Sequence, residues 1–221
     1  MFLFSFLLSC SSSETVQATN VKTNQTVVKK EQSEGPKIII LGDSLTAGLG
    51  LSSEQAYPTH LNSLLEQHKL PSQIINAGVS GDTTAGGVRR IDWILTQNPD
   101  LVLIELGAND GLRGIPISEI TANLHILIDK VQTANIDVIL IGMQIPPNYG
   151  KEYATQFQGI YPAVAKEQGV PLLPFLLKDV AGVRDLNQSD GIHPTAKGHE
   201  IMAKTVYEFI KPWRNRWTAN Q

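Results

Sequence analysis

Two segments of the chain carry side chains that together suit acyl transfer. Ser44 lies in Gly42–Gly48, and Asp190 and His193 lie in Asp190–Pro194, three residues apart on a loop that Gly191 can bend. A serine hydroxyl is a poor nucleophile at neutral pH and needs an adjacent base. His193 can supply that base, and Asp190 can hold the imidazole in the required tautomer. These residues predict a Ser44 nucleophile with Asp190 and His193 as its acid–base partners.

Two further segments offer hydrogen-bond donors for a developing negative charge. The loop Asn76–Thr84 is rich in glycine and exposes backbone N–H groups, including that of Gly81. The segment Gly107–Gly111 contributes the carboxamide of Asn109. With the backbone N–H of Ser44, these donors predict an oxyanion hole. Each segment alone has a plainer interpretation: Ser44 as a helix cap, the glycine loop as a phosphate site or turn, and Asn109 as a turn residue.

The elements that must position these residues alternate between strand and helix. Short apolar, β-branched runs predict strands buried on both faces of a sheet, at 37–41, 73–76, 101–106, 137–141 and, more weakly, 170–173. Helical spacing predicts helices at 57–67, 83–97, 118–134, 153–168 and 195–210. This alternation predicts a parallel sheet with helices on both faces, which binds its ligand beyond the carboxyl ends of the strands.

The four segments resemble the four blocks of the GDSL, or SGNH, hydrolase family. The bacterial thioesterase, lysophospholipase and arylesterase branch is the most similar, on the residues of Glu105–Gly114, Gln144–Gly150, Ile160–Glu167 and Val170–Phe175. The resemblance implies an α/β, three-layer α/β/α flavodoxin-like fold with a five-stranded parallel sheet in the order 2-1-3-4-5. It implies catalytic Ser44, Asp190 and His193, an oxyanion hole of Ser44, Gly81 and Asn109, and no metal or other cofactor.

The same resemblance implies a serine esterase or thioesterase acting on aryl esters, lysophospholipids or acyl thioesters through an acyl-serine. The loop that would border its acyl pocket contributes five substrate-binding candidates: Gln144, Ile145, Pro146, Asn148 and Tyr149. Alternatives are a carbohydrate or peptidoglycan O-acetylesterase, a catalytically inactive binding module on the same fold, and a metallophosphoesterase. The last would use Asp43, Asn109, Asp190 and His193 as metal ligands, but it lacks the additional histidines such clusters need.

The N-terminal residues predict export. Residues 1–10 resemble a lipoprotein-type signal ending at Cys10, the site of lipid attachment, and residues 11–36 are polar enough to form a disordered tether. The hydrolase domain is expected at 37–212, with a C-terminal tail at 213–221. We therefore expect an outer-membrane lipoprotein facing the periplasm, attached to the membrane through Cys10, with a soluble periplasmic protein as the alternative.

Composition narrows the range of partners. The 221 residues carry a net charge of −3 without a basic cluster, so nucleic acid is not an expected partner. A single cysteine cannot form an internal disulfide. We expect a monomer whose partner is a small-molecule or lipid acyl ester.

Overall fold

The computed structural model describes residues 35–213. The predicted signal with Cys10, nearly all of the predicted tether and nearly all of the C-terminal tail lie outside the described residues. Within this part of the chain, helices and strands run from Lys37 to Trp213. No helix in residues 35–213 is long and apolar enough to cross a membrane.

A five-stranded parallel sheet forms the centre of the fold. The strands are β1 (Lys37–Gly42), β2 (Gln73–Gly78), β3 (Leu101–Glu105), β4 (Asp137–Ile141) and β5 (Leu172–Leu173). Their order is β2-β1-β3-β4-β5, and every neighbouring pair is parallel. The order reverses between β1 and β3, which is where a ligand crevice is expected. The predicted fold class and strand order are confirmed.

Seven α-helices cover the sheet in the described residues. They are α1 (Ser44–Ala47), α2 (Tyr57–Gln67), α3 (Thr84–Leu95), α4 (Ala108–Leu112), α5 (Ile117–Thr133), α6 (Lys151–Gln168) and α7 (Ala196–Ile210). Helix α2 packs against α7, whereas α5 packs against both α3 and α6. Helices therefore lie in layers on both sides of the sheet, and β1, β3 and β4 are almost wholly buried between them.

The structure differs from the sequence-based expectation at a few boundaries. The strand predicted at 170–173 is confined to Leu172–Leu173, because Pro171 has no N–H and only its carbonyl joins the ladder, accepting from Leu140 at 3.0 Å. The short helices α1 and α4 lie outside the predicted helices. Asp43 caps the first through Leu45 N–H, and Gly48, with φ of 76°, ends it.

Candidate active site

Ser44 begins the short helix α1, directly beyond the carboxyl end of β1. The turn is tight because Gly42 packs closely: a Cβ there would overlap Thr46 Oγ1 and Glu105 Oε2. Gly78, at the end of β2, likewise leaves room for the backbone of Ala47. Ser44 is buried at 7% exposure. The two glycines thus let the α1 turn sit against the ends of two strands while Ser44 faces the cavity described below.

His193 and Asp190 come from the loop that leads into α7. Asp190 Oδ1 accepts hydrogen bonds from the backbone N–H groups of Ile192 and His193, each at 3.0 Å. Its Oδ2 lies 2.7 Å from His193 Nδ1. The loop is closed by the Gln188 N–H, which donates to the His193 carbonyl at 2.7 Å, and Thr195 caps α7. Asp190 therefore fixes both the backbone and the ring of His193.

The protonation state of Asp190 decides the tautomer of His193. The backbone N–H of His193, followed by its side chain and the N–H of Ile192, lowers the pKa of Asp190 to about 2. The ionised carboxylate can only accept, so His193 Nδ1 carries a proton and Nε2 of the neutral ring is free to accept. That Nε2 atom lies 2.9 Å from Ser44 Oγ. The arrangement allows His193 to remove the Ser44 proton.

Asn109, in α4, lines the same cavity as Ser44 and His193, and Asp43 holds its side chain. Its Nδ2 donates to Asp43 Oδ2 at 3.1 Å, which leaves one carboxamide hydrogen for another acceptor. Burial raises the pKa of Asp43 to about 6, against the lowering effects of the Leu45 N–H, His193 and Asn109. Asp43 thus orders its own turn through Leu45 and also positions the candidate oxyanion donor.

The sequence did not indicate Glu105 as a site residue, but its side chain hydrogen-bonds to the turn that carries Ser44. Its Oε2 accepts from Thr46 Oγ1 at 2.7 Å and from Asp43 N–H at 3.3 Å. Thr46 Oγ1 in turn lies 2.8 Å from the hydroxyl of Tyr57. Full burial, and then the charge of Asp43, hold the pKa of Glu105 well above its usual range. One feature of the sequence could have pointed to Glu105, since it is a carboxyl residue at the end of an otherwise apolar strand.

Gly81 lies on the loop after β2, with φ of 79°, a conformation that favours glycine. Its carbonyl accepts from Arg113 Nη2 at 2.9 Å, which links this loop to the segment that follows Asn109. The loop is also joined to the Ser44 strand, since Val79 N–H donates to the carbonyl of Gly42 at 3.0 Å. Gly81 itself is exposed and is not among the residues lining the cavity beside Ser44 and His193.

A cavity of about 540 Å³ opens beside the Ser44–His193 pair. Its wall includes Ser44, His193 and Asn109, and it is mainly apolar, with Leu45, Ala108, Leu112, Met143, Ile145, Pro146, Phe175, Leu177 and Ile192. Of the predicted substrate-binding residues, Gln144, Ile145 and Pro146 line this cavity. Asn148 and Tyr149 are exposed and lie outside its wall. No Lys or Arg is among the lining residues, so the cavity suits an uncharged, apolar group.

The remaining histidines lie outside this relay. His199 is buried, and its Nδ1 accepts from the Tyr57 N–H at 3.0 Å; burial lowers its pKa to about 4. Residues 35–213 contain no group of three or more His, Cys, Asp and Glu side chains that could hold a metal ion. The metal-ligand interpretation of Asp43, Asn109, Asp190 and His193 therefore gains no support in the described part of the chain.

The fold is of the α/β class, and the Ser44–His193 pair has the geometry of a serine hydrolase. Comparison with known proteins identifies the family. A family model described as the GDSL-like Lipase/Acylhydrolase family matches residues 40–201. The chain is 42% identical over 177 residues to an arylesterase of Vibrio mimicus, covering 79% of this chain and 88% of that protein. It is 38% identical over 179 residues to thioesterase 1/protease 1/lysophospholipase L1 of Escherichia coli K12, covering 80% and 85%.

Solved structures agree with these relatives. The psychrotrophic esterase EstA from Pseudoalteromonas sp., in a form inhibited by monoethylphosphonate, is similar with a TM-score of 0.78 and 39% identity, over 81% of this chain and 99% of that one. The chain belongs to the GDSL-like lipase/acylhydrolase family. It is accordingly a hydrolase of acyl esters, as the resemblance implied.

Proposed function

We propose that this enzyme hydrolyses esters and thioesters with an apolar acyl chain through an acyl-Ser44 intermediate. Ser44 Oγ attacks the acyl carbonyl while His193 Nε2 takes its proton, and Asp190 stabilises the imidazolium. His193 then protonates the departing alcohol or thiol, and water repeats the sequence to release the acid. The observation that carries the proposal is the Ser44–His193–Asp190 relay, at 2.9 and 2.7 Å, of which Ser44 and His193 line an apolar cavity.

The proposed oxyanion donors are the backbone N–H groups of Ser44 and Gly81 and the side chain of Asn109. Asn109 keeps one hydrogen unused in its contact with Asp43, so it can donate to a carbonyl oxygen without breaking that contact. Donors fixed before the reaction stabilise the developing charge at no reorganisation cost.

The cavity supports the substrate class. A wall of apolar side chains without Lys or Arg favours acyl chains of medium or long length over a bare acetyl group. The names of the relatives, arylesterase and thioesterase/lysophospholipase, support aryl esters, acyl thioesters and lysophospholipids as candidate substrates. Within the loop bordering the cavity, Gln144, Ile145 and Pro146 are proposed to contact the acyl group, and Asn148 and Tyr149 to lie nearer its entrance.

Labelling and mutation test the mechanism. A fluorophosphonate should label the wild-type protein and Ser63→Ala, which changes an exposed serine of α2, but not Ser44→Ala. Ser44→Ala and His193→Ala should each remove nearly all turnover, and the double variant should be hardly worse, because the two residues act as a unit. Full labelling of Ser44→Ala, or losses that add in the double variant, would contradict the proposed relay.

A substrate panel tests the chain-length preference. Rates on p-nitrophenyl esters from acetyl to palmitoyl, on acyl-CoA thioesters and on lysophospholipid should peak beyond acetyl. Activity confined to acetyl esters would instead support the O-acetylesterase alternative.

We further propose that the enzyme is an exported, monomeric lipoprotein attached to the outer membrane through Cys10. Support comes from the apolar run and the Leu7-Leu-Ser-Cys10 sequence. Mass spectrometry of the native protein should find a lipidated N-terminal Cys10, and an unmodified Cys10 on an intact N-terminus would reject the attachment. Light scattering of a detergent-solubilised sample should give the mass of one chain.

A further inference from the structure

One arginine of α3 joins the ends of two strands beside the candidate active site. Arg90 Nη2 donates to the carbonyl of Gly42 at 2.9 Å, and Nη1 donates to the carbonyl of Ala77 at 2.6 Å. The Nε atom donates to Asp82 Oδ2 at 2.8 Å. A single guanidinium therefore holds the end of β1, the end of β2 and the loop that follows β2.

Two of these three acceptors adjoin groups of the proposed machinery. Gly42 stands two residues before Ser44, and Asp82 directly follows Gly81. We propose that Arg90 is a positioning residue that sets the separation between the Ser44 nucleophile and the Gly81 oxyanion donor. This inference rests on the proposed function, because it assigns Arg90 a role only through those two groups.

The contacts of Asp82 show that this junction is closely packed. The Arg90 and Asp82 side chains are 21% and 10% exposed, so their ion pair is largely shielded from water. Asp82 Oδ1 accepts from the Thr83 N–H at 3.0 Å, and it fills the space that a Cβ at Gly86 would need. The carboxylate is thus held between the start of α3 and the guanidinium, and the loop that carries Gly81 is held with it.

The sheet itself does not depend on Arg90 for its pairing. Strands β1 and β2 are paired along six residues up to Gly42 and Gly78. Val79 N–H also donates to the Gly42 carbonyl, and Asn76 Nδ2 donates to the Thr46 carbonyl at 2.8 Å. What Arg90 adds is the connection to Asp82. Its loss should therefore loosen the Asp82 end of the Gly81 loop, whose other bonds are those of Arg113 to the Gly81 carbonyl and of the Val79 N–H to Gly42, while the sheet stays folded.

Lysine cannot replace this arginine fully. The planar guanidinium directs donors to three separate acceptors in fixed directions, whereas an ammonium is a compact charge on a flexible stem. Arg90→Lys should keep the ion pair with Asp82 and lose part of the bonding to the two carbonyls. It should therefore retain more activity than Arg90→Ala.

The test compares wild type, Arg90→Ala and Arg90→Lys with the control Arg89→Ala, which changes the exposed neighbour on the same helix. The readouts are kcat and KM on a p-nitrophenyl ester, normalised to the folded fraction from thermal unfolding. Arg90→Ala should lose about 10- to 100-fold in kcat, less than the removal of an oxyanion donor, with KM within about threefold. Arg90→Lys should be intermediate, Arg89→Ala unchanged, and guanidinium ion at non-denaturing concentration should restore part of the Arg90→Ala rate.

Several results would overturn the inference. These are an Arg90→Ala kcat within twofold of wild type, a loss fully explained by unfolding, or a rate that guanidinium does not raise. If Arg90→Ala does not fold, Arg90→Lys decides, since a folded lysine variant with full kcat contradicts the role. If Ser44→Ala hydrolyses the ester at the wild-type rate, the proposed function is refuted as well. If hydrolysis needs Ser44 but not Arg90, only this inference is refuted.

Discussion

The Asp43→Asn variant should gain stability relative to wild type as the pH rises. The free energy of unfolding of the variant, minus that of wild type, should be larger at pH 8 than at pH 4.5. Asp43 is 1% exposed, and burial raises its pKa from 3.8 to about 6. The folded state therefore favours the protonated carboxyl. The resulting stabilisation is fully present below the unfolded pKa and is lost as the pH rises through about 6. The asparagine side chain of the variant is neutral at every pH and has no such dependence.

The size of the effect follows from the shift. A rise of about 2 pKa units corresponds to about 3 kcal/mol between the two protonation states. Between pH 4.5 and pH 8 the stability difference between Asp43→Asn and wild type should change by about 2 kcal/mol. The change is smaller than the full shift because part of Asp43 is already ionised in the unfolded protein at pH 4.5. The substitution also replaces the carboxylate that accepts from Asn109 by a second amide, so kcat should fall at both pH values. The stability difference between the variant and wild type should change with pH.

Urea unfolding of wild type and Asp43→Asn at pH 4.5 and pH 8 measures this double difference. Asp129→Asn, on the exposed face of α5, serves as the control and should stay within about 0.5 kcal/mol of wild type at both pH values. If the stability difference between wild type and Asp43→Asn is the same at pH 4.5 and pH 8, burial does not raise the pKa of Asp43, and the electrostatic account of the site is wrong.

Three further positions probe the site and its support. Asn109→Ala should lower kcat by about 10²- to 10³-fold with KM little changed in steady-state kinetics, as expected for an oxyanion donor. Glu105→Gln should be more stable to urea than Glu105→Ala, because the glutamine side chain keeps an oxygen that can accept from Thr46 Oγ1 and from the Asp43 N–H. Glu105→Ala should be less stable by several kcal/mol, since it removes the acceptor of the Asp43 N–H and of the Thr46 hydroxyl and opens a cavity. Leu103→Ala, in the fully buried middle of β3, should cost about 2–5 kcal/mol in urea unfolding.

Each of these has a result that would contradict it. A mainly KM effect of Asn109→Ala would make Asn109 a binding residue. A Glu105→Gln variant as unstable as Glu105→Ala would mean that the acceptor oxygen of Glu105 does not stabilise the Ser44 turn. A cost below about 1 kcal/mol for Leu103→Ala would mean that the β3 layer can relax around the missing side chain.

Local sequence was sufficient for the longer helices and for the strands, and it supplied the candidate site residues. The predicted helix at 57–67 and the strand at 137–141 match the structure residue for residue, because apolar periodicity and burial coincide there. The weak strand at 170–173 was shortened by Pro171, whose missing N–H is visible in the sequence. The helices α1 and α4 were missed since each spans five residues or fewer, too short for periodicity to show.

Contacts between distant segments could not be predicted from the sequence. Nothing local separates Arg90 from Arg89, although the first bonds to two strand ends and the second is exposed. Asp110 accepts from the N–H and hydroxyl of Thr84, 26 residues earlier. These partners depend on where whole elements pack.

The sequence by itself determined the strand and helix alternation, the fold class and the residue types available for acyl transfer, because these follow from periodicity and from side-chain chemistry. Only the tertiary structure brought Ser44 within 2.9 Å of His193, 149 residues away, and enclosed both beside an apolar cavity. It also decided the electrostatics of Asp43 and Glu105, since burial shifts a pKa only once the chain has folded around the carboxyl.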